Sequence, residues 1–164
     1  MLMLFFILCA IILLIFLTGV FFRIYNSLES KIDADLGIQE NTYVTIGGIE
    51  QYLQIRGENK NNPVILWLHG GPGFPLTYLT YYYQIALEKD YTIVCWEQRG
   101  CGRTFYKNKG GNNLTIEQLL ADTDEVIDYL RERFGKDKII IMGQSWGTVL
   151  GIDYINIHPE KVAA

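Results

Sequence analysis

Gly143-Gln144-Ser145-Trp146-Gly147 is the stretch on which the reading of the chain turns. It follows Lys138-Ile139-Ile140-Ile141-Met142, a short apolar, β-branched run that predicts a fully buried strand. A helical stretch follows it, from about Thr148 to Ile157. Between a strand and a helix, G-x-S-x-G forms a nucleophile elbow, a turn so tight that residues two positions either side crowd the serine. Glycine at 143 and 147 removes the Cβ atoms that would clash there. The turn lifts Ser145 Oγ clear of the sheet and points a helix N-terminus at developing negative charge. A plain βα turn with an incidental serine is the competing reading, and the flanking strand and helix weigh against it.

Outward from the elbow, the preceding segments repeat one alternation. Thr115 opens a helix whose face is Leu119, Leu120, Thr123, Val126, Ile127, Leu130 and Phe134, with Gln118 placed to complete a capping box and Gly135 to end it. Tyr91–Trp96 and Val64–Leu68 are further buried strands, and Leu76–Glu88 between them predicts a helix. The Tyr81-Tyr82-Tyr83 cluster in it reads as packing. Thr42–Ile46 and Ile49–Ile55 flank Gly47-Gly48, a two-residue hairpin signal because a type I′ turn needs positive φ at both positions. Apolar strands alternating with amphipathic helices give an α/β fold with a mainly parallel sheet covered by helices on both faces. In such sheets chemistry gathers at the carboxyl ends of the strands. Three unusual loops fall there: one from His69, one from Glu97, and the elbow.

The chain has 164 residues and a net charge of −4, which suits one domain and shows no basic stripe for nucleic acid. Leu2–Phe22 carries no charge and is long enough, at about 1.5 Å per residue, to cross a hydrocarbon layer of roughly 30 Å. A signal peptide would have a basic start, a shorter apolar run and a small-residue cleavage site, and none of these is evident. The expected organisation is therefore a single-pass N-terminal membrane anchor at 1–22 in contact with lipid, a polar tether at 23–41 and a globular part at 42–164. Cys9, Cys95 and Cys101 show neither a disulfide framework nor metal-ligand spacing, so neither metal nor cofactor is expected. Cys101, in a Gly-rich loop, reads as a packed small residue with a reachable thiol as the alternative.

Three motifs in order, His69-Gly70-Gly71-Pro72-Gly73, then Glu97-Gln98-Arg99-Gly100-Cys101-Gly102-Arg103, then the elbow, resemble the prolyl iminopeptidases of the α/β-hydrolase fold. His158-Pro159-Glu160-Lys161-Val162 matches as well, so the resemblance covers about residues 45 to 164. Gln144, Glu97 and Thr104 depart from the Gly, Asp and Ser that the family often carries. The resemblance implies a serine peptidase in which Ser145 is the nucleophile and the amides of Trp146 and Gly71 hold the oxyanion. Pro72 has no N–H to give, and His69, Gly70, Pro72 and Gly73 complete the substrate-binding loop. His69 becomes a structural residue of that loop, and Arg99 and Arg103 brace neighbouring loops.

A serine nucleophile needs a base, and the base needs an orienting carboxylate; in this fold both follow the serine in sequence. Only His69 and His158 exist. His158 lies about eleven residues down the helix from Gly147, roughly 16 Å away at 1.5 Å per residue. The resemblance thus implies a fold truncated after the elbow helix, without its later strands, cap, catalytic Asp and catalytic His. The expected function is a membrane-anchored aminopeptidase that releases N-terminal residues from peptides, this chain being an incomplete, inactive part. The alternatives are a lipase or esterase acting on a small acyl substrate, and a non-catalytic membrane-anchored remnant.

Overall fold

The computed structural model describes residues 2–79, 83–109 and 113–164. It falls into two units, Met1–Lys31 and Ile32–Ala164. The first is the helix α1, Leu2–Glu29, with a mean hydropathy of 3.1 over its most apolar window and no part of that window buried. The helix continues seven residues beyond Phe22, so the stretch expected as a tether begins in helical conformation. Residues Arg23–Glu29 have no proline or glycine to stop it.

The second unit is built on a five-stranded sheet: β1 (Ile38–Ile46), β2 (Ile49–Gly57), β3 (Val64–Leu68), β4 (Thr92–Glu97) and β5 (Ile140–Gly143), in the order β1-β2-β4-β3-β5. β4, β3 and β5 run parallel, while the hairpin adds two antiparallel neighbours, so the sheet is mixed. Gly47 and Gly48 hold φ of 55° and 75°, as the hairpin turn requires. β1 starts at Ile38, four residues inside the expected tether; its alternating half-buried and exposed residues show one face turned to solvent.

Helices α2 (Gly102–Asn108), α3 (Ile116–Phe134) and α4 (Trp146–Ile157) follow, with a 3-10 turn at Pro159–Lys161. α3 and α4 bury Val126, Ile127, Leu130, Leu150 and Tyr154 against Leu53, Ile55, Leu66, Leu68, Val94 and Trp96 on one face of the sheet. The Thr115 side chain caps α3 by accepting from the Gln118 amide at 3.2 Å, and Gly135 ends it at φ 59°. The expected capping box is only half made. The Gln118 side-chain oxygen accepts instead from Asn113 at 3.1 Å, while its Nε2 donates to the buried carboxylate of Asp122 at 2.8 Å.

Ile65, Ile93 and Cys95 form the opposite face, packed by Leu87 and Tyr91. The helix expected over Leu76–Glu88 includes residues 80–82, which lie outside the described ones, as do Tyr81 and Tyr82 of the tyrosine cluster; Gln84–Asp90 are turns. A buried ion pair pins this segment to β2: Arg56 Nε donates to Glu88 at 2.7 Å, and Gln84 donates to the same carboxylate at 2.8 Å. Ile140 and Met142 on this face are half-buried rather than fully buried, since its cover gives out toward β5, and Ile141 is half-buried on the other face against α4. Along the outer edge of β5, Ile139 pairs in parallel with Val162, and Ile141 N–H donates to the Ala164 carbonyl at 3.0 Å.

Candidate active site

Ser145 sits between β5 and α4 with φ 52° and ψ −117°, a backbone conformation that L-residues other than glycine rarely hold. It is exposed at the carboxyl end of the parallel strands. The flanking glycines are there for space. A Cβ on Gly143 would lie 2.7 Å from the Gly147 carbonyl oxygen, and one on Gly147 only 2.0 Å from that of Leu68. α4 can therefore start directly on β3. The amides of Gly147 and Thr148 are used inside the turn, on the carbonyls of Gln144 and Ser145, each at 2.9 Å. That of Trp146, the first residue of α4, meets no acceptor among the described residues. An amide so placed next to Ser145 is the kind that holds an oxyanion.

The loop after β3 closes over the serine from the other side. Gly70 lies against it, since a Cβ there would lie 3.3 Å from Ser145 Cβ and 3.9 Å from Oγ. Gly71 follows at φ 118°, joined to Pro72 by a cis bond. Its amide also meets no acceptor among the described residues, whereas the Gly70 carbonyl accepts from Phe74 N–H at 3.1 Å. Gly71, Pro72 and Gly73 are exposed, so the loop presents its backbone outward. Phe74 forms one wall of a cleft of about 430 Å³ beside the elbow, with Trp67, Leu76, Met142 and Gln144 among the others.

His69 is buried and holds the loop from below. Its Nε2 accepts from the Gln98 amide at 3.2 Å, so Nδ1 carries the proton and donates to the Gly70 carbonyl at 2.9 Å. Burial pushes its pKa below the ordinary value, outweighing the Gly70 hydrogen bond and the Glu97 charge. Both ring nitrogens are committed, which leaves none for Ser145. The sign of the resulting pH dependence follows. The unfolded chain protonates at its ordinary value near 6.5 and the native ring does not, so this stabilisation is complete above that pH and declines as pH falls below it. Urea midpoints should drop on acidification from pH 7 to 5.5, and less so in His69→Gln. Equal slopes for the two proteins would contradict a neutral, buried His69.

Cys101 is packed, not reachable. Its Sγ lies 3.2 Å from His69 Nε2 and 3.1 Å from the Gln98 carbonyl, and burial, with the Glu97 charge, raises the thiol to about 12. Arg99 and Arg103 do brace loops. Arg99 forks onto Asp122 at 2.8 and 3.0 Å and donates to the Gly47 carbonyl at 2.7 Å, tying the hairpin turn to α3. Arg103 donates to Glu97 at 2.6 Å. That buried carboxylate also accepts from Thr77 at 2.5 Å, and so clips the cleft-lining loop to the start of α2. Thr77 and the cleft residues Trp67 and Phe74 were not legible as site residues. Phe74 adjoins the Gly-rich motif, but nothing in the sequence reports which side it faces.

His158 lies past the far end of α4, its Nδ1 3.5 Å from Glu160 and its Nε2 3.9 Å from Asp124. Asp124 there accepts from Lys161 at 2.6 Å and Tyr154 at 2.7 Å. Burial alone would raise this carboxyl, but those hydrogen bonds and the Lys161 and His158 charges hold it below the usual range. Among the described residues no cluster of metal-ligating side chains occurs.

The sequence profile of the alpha/beta hydrolase fold matches residues 63–164. The chain is 37% identical to the probable aminopeptidase YbaC of Bacillus subtilis over 117 residues, 71% of this chain and 37% of that protein. With the proline iminopeptidase of Thermoplasma volcanium the identity is 33% over 115 residues, 70% of this chain and 37% of that one. Among solved structures, the proline iminopeptidase-related protein of Thermus thermophilus superposes with a TM-score of 0.59 at 27% identity, covering 75% of this chain and 42% of that one. An epoxide hydrolase of Vigna radiata gives 0.58 at 27%, over 77% and 38%. The chain spans less than half the length of each of these relatives. The strained serine between two crowded glycines, the matched profile and the three loops at the strand ends lead to one conclusion: the chain belongs to the α/β-hydrolase fold family and is similar within it to the proline iminopeptidases.

Proposed function

We propose that residues 32–164 are the nucleophile-bearing part of a serine hydrolase of aminopeptidase type, one that releases N-terminal residues, proline among them, from peptides. The observation that carries this is Ser145: exposed, at φ 52°, immediately before α4, with Gly70 against it. In this reading Ser145 Oγ attacks the acyl carbonyl, and the amides of Trp146 and Gly71 receive the oxyanion. The base and its carboxylate come from residues outside 1–164, because His69 is committed to its own loop and His158 lies at the wrong end of α4. The names of the relatives favour peptides over esters, although a fold does not by itself fix a substrate. The test is a panel of proline arylamides and acyl esters offered to residues 1–164 fused to the C-terminal part of the Bacillus subtilis relative. Arylamide turnover is the expected result; ester turnover alone would replace the peptidase reading with an esterase.

The same proposal places α1 in a bilayer as an uncleaved anchor. Its 28 residues and uncharged run from Leu2 to Phe22 support this. After an alkaline carbonate wash the protein should stay in the membrane pellet with its N-terminal residues intact. A soluble product that begins beyond the apolar run would show that the segment is a removed signal peptide.

A further inference from the structure

β1 is an edge of the sheet, with β2 as its one neighbour among the described residues. The two-residue turn at Gly47-Gly48 makes Ile46–Ile49 a hydrogen-bonded pair, and such pairs then alternate down the hairpin with pairs that share no hydrogen bond. Tyr52 fixes the phase. Its amide turns away from β1 and donates to Thr104 Oγ1 at 2.9 Å, so Tyr43–Tyr52 is a pair without hydrogen bonds. The backbone N–H and C=O groups of Gln39, Asn41, Tyr43 and Thr45 therefore point outward from the sheet. None has a backbone partner among the described residues, and the Tyr43 carbonyl meets only the Thr42 hydroxyl, at a long 3.5 Å. Lysine, proline, a bulge or short length are the devices that defend an edge of this kind. β1 has none of them: it runs from Ile38 to Ile46 in unbroken register with β2. Its single charge, Glu40, is taken up by Arg133 of α3.

We propose that β1 pairs antiparallel with β1 of a second copy of this chain, about a two-fold axis at Thr42, so that two five-stranded sheets join edge to edge. A row of outward amides and carbonyls at strand spacing is met by another extended strand. The sequence of β1 fits its own copy. With Thr42 opposite Thr42, Gln39 faces Thr45 and Asn41 faces Tyr43 of the second copy, and every outward backbone group of the strand is used. Neighbouring registers fail on particular residues. A slip of two one way sets Thr45 against Gly37, whose amide is spent on the Asp33 carbonyl. The other way sets Gln39 against Gly47, whose amide is spent on Glu125 at 2.7 Å. A slip of one sets outward groups against inward ones. Charge agrees with the two-fold: Glu40 lies opposite Val44 rather than a second Glu40, so it keeps Arg133 and meets no like charge. On the same face Ile38 lies opposite Ile46, and both already pack on the core. A second copy brings this match by symmetry, since each contact is made twice.

The test follows amide exchange of the full chain, in detergent micelles, across a dilution series. The amides of Asn41, Tyr43 and Thr45 should exchange about tenfold or more slowly in the concentrated sample than in the dilute one, with α3 unchanged. Disulfide formation reads the register. In a Cys9→Ser background, Thr42→Cys sets two thiols across a pair whose Cα atoms lie about 4.5 Å apart, within reach of a disulfide. Under copper–phenanthroline oxidation it should cross-link about tenfold or more faster than Tyr106→Cys, whose exposed position on α2 reports random collision. Cys95 and Cys101 are buried and do not compete. Thr45→Pro removes an outward N–H that the ladder with β2 does not use, and should weaken the dimer by about tenfold or more. Native exchange in α3 checks that this variant stays folded, and the dilution series needs no variant. Edge amides that exchange freely at every concentration, equal cross-linking at 42 and 106, or a dimer indifferent to Thr45→Pro overturns the proposal. So does protection that is independent of concentration, because the edge is then covered from within the chain.

Discussion

Replacing Gly147 with alanine is expected to remove much of the stability of the globular unit. The added methyl would lie 2.0 Å from the Leu68 carbonyl oxygen, 2.5 Å from its carbon and 2.9 Å from the His69 oxygen. All three are backbone atoms at the end of β3, which is paired on both sides by β4 and β5 and cannot move away alone. Relief requires α4 to lift off the sheet, which exposes Leu150 and Tyr154 from the core they share with Leu68. The cost belongs to the overpacking class and is roughly 4 kcal/mol or more, against a total stability of about 5–15 kcal/mol for a domain. Gly135→Ala is the control. Its φ of 59° is strained for alanine but nothing lies within 4 Å, so about 1 kcal/mol is expected. Urea midpoints followed by circular dichroism separate the two. A wild-type midpoint for Gly147→Ala would show that α4 does not start against β3.

Where the sequence carried a local, steric signal, it was read correctly. Gly47-Gly48 demands positive φ, the run Val64–Leu68 has the length of a buried strand, and Thr115 and Gly135 mark the ends of α3 through their own backbone needs. The elbow belongs with these, because the crowding around Ser145 follows from two glycines at fixed spacing. Where the outcome depended on what packs against a segment, the reading failed. Ile140-Ile141-Met142 has the composition of a buried strand whether or not something covers it, and here the cover is partial. Residues Ile38–Asn41 look like a polar tether because they belong to a strand with one face in water. α2 went unseen inside a loop read only for its glycines.

The candidate site divides in the same way. That Ser145 would be strained and exposed was legible, as was a structural His69. Gly70 lies against the serine, a placement set by the path of the loop rather than by its composition. The Thr77–Glu97–Arg103 clip and the burial of Asp122 under Arg99 and Gln51 join residues far apart in sequence. Only the register of β2, β4 and β3 brings them together.

The rate at which a fluorophosphonate labels Ser145 tests the central claim most directly. On the proposed reading Ser145 is the nucleophile and the Trp146 and Gly71 amides receive the oxyanion, while neither histidine among the described residues is placed to act as its base. His69 Nε2 accepts from Gln98 and its Nδ1–H donates to Gly70, so proton transfer from Ser145 Oγ has nowhere to go. Ser145 in residues 1–164 should therefore react no faster than an ordinary serine hydroxyl at neutral pH. Fused to the C-terminal part of the Bacillus subtilis relative, the same serine should react roughly 10⁴-fold faster or more, which is the scale on which triad members act. Ser145→Ala should abolish the labelling. Rapid labelling of the isolated chain at Ser145 would contradict the account by showing that a base lies within these residues, and a folded fusion that stays unlabelled would contradict the assignment of Ser145 as nucleophile.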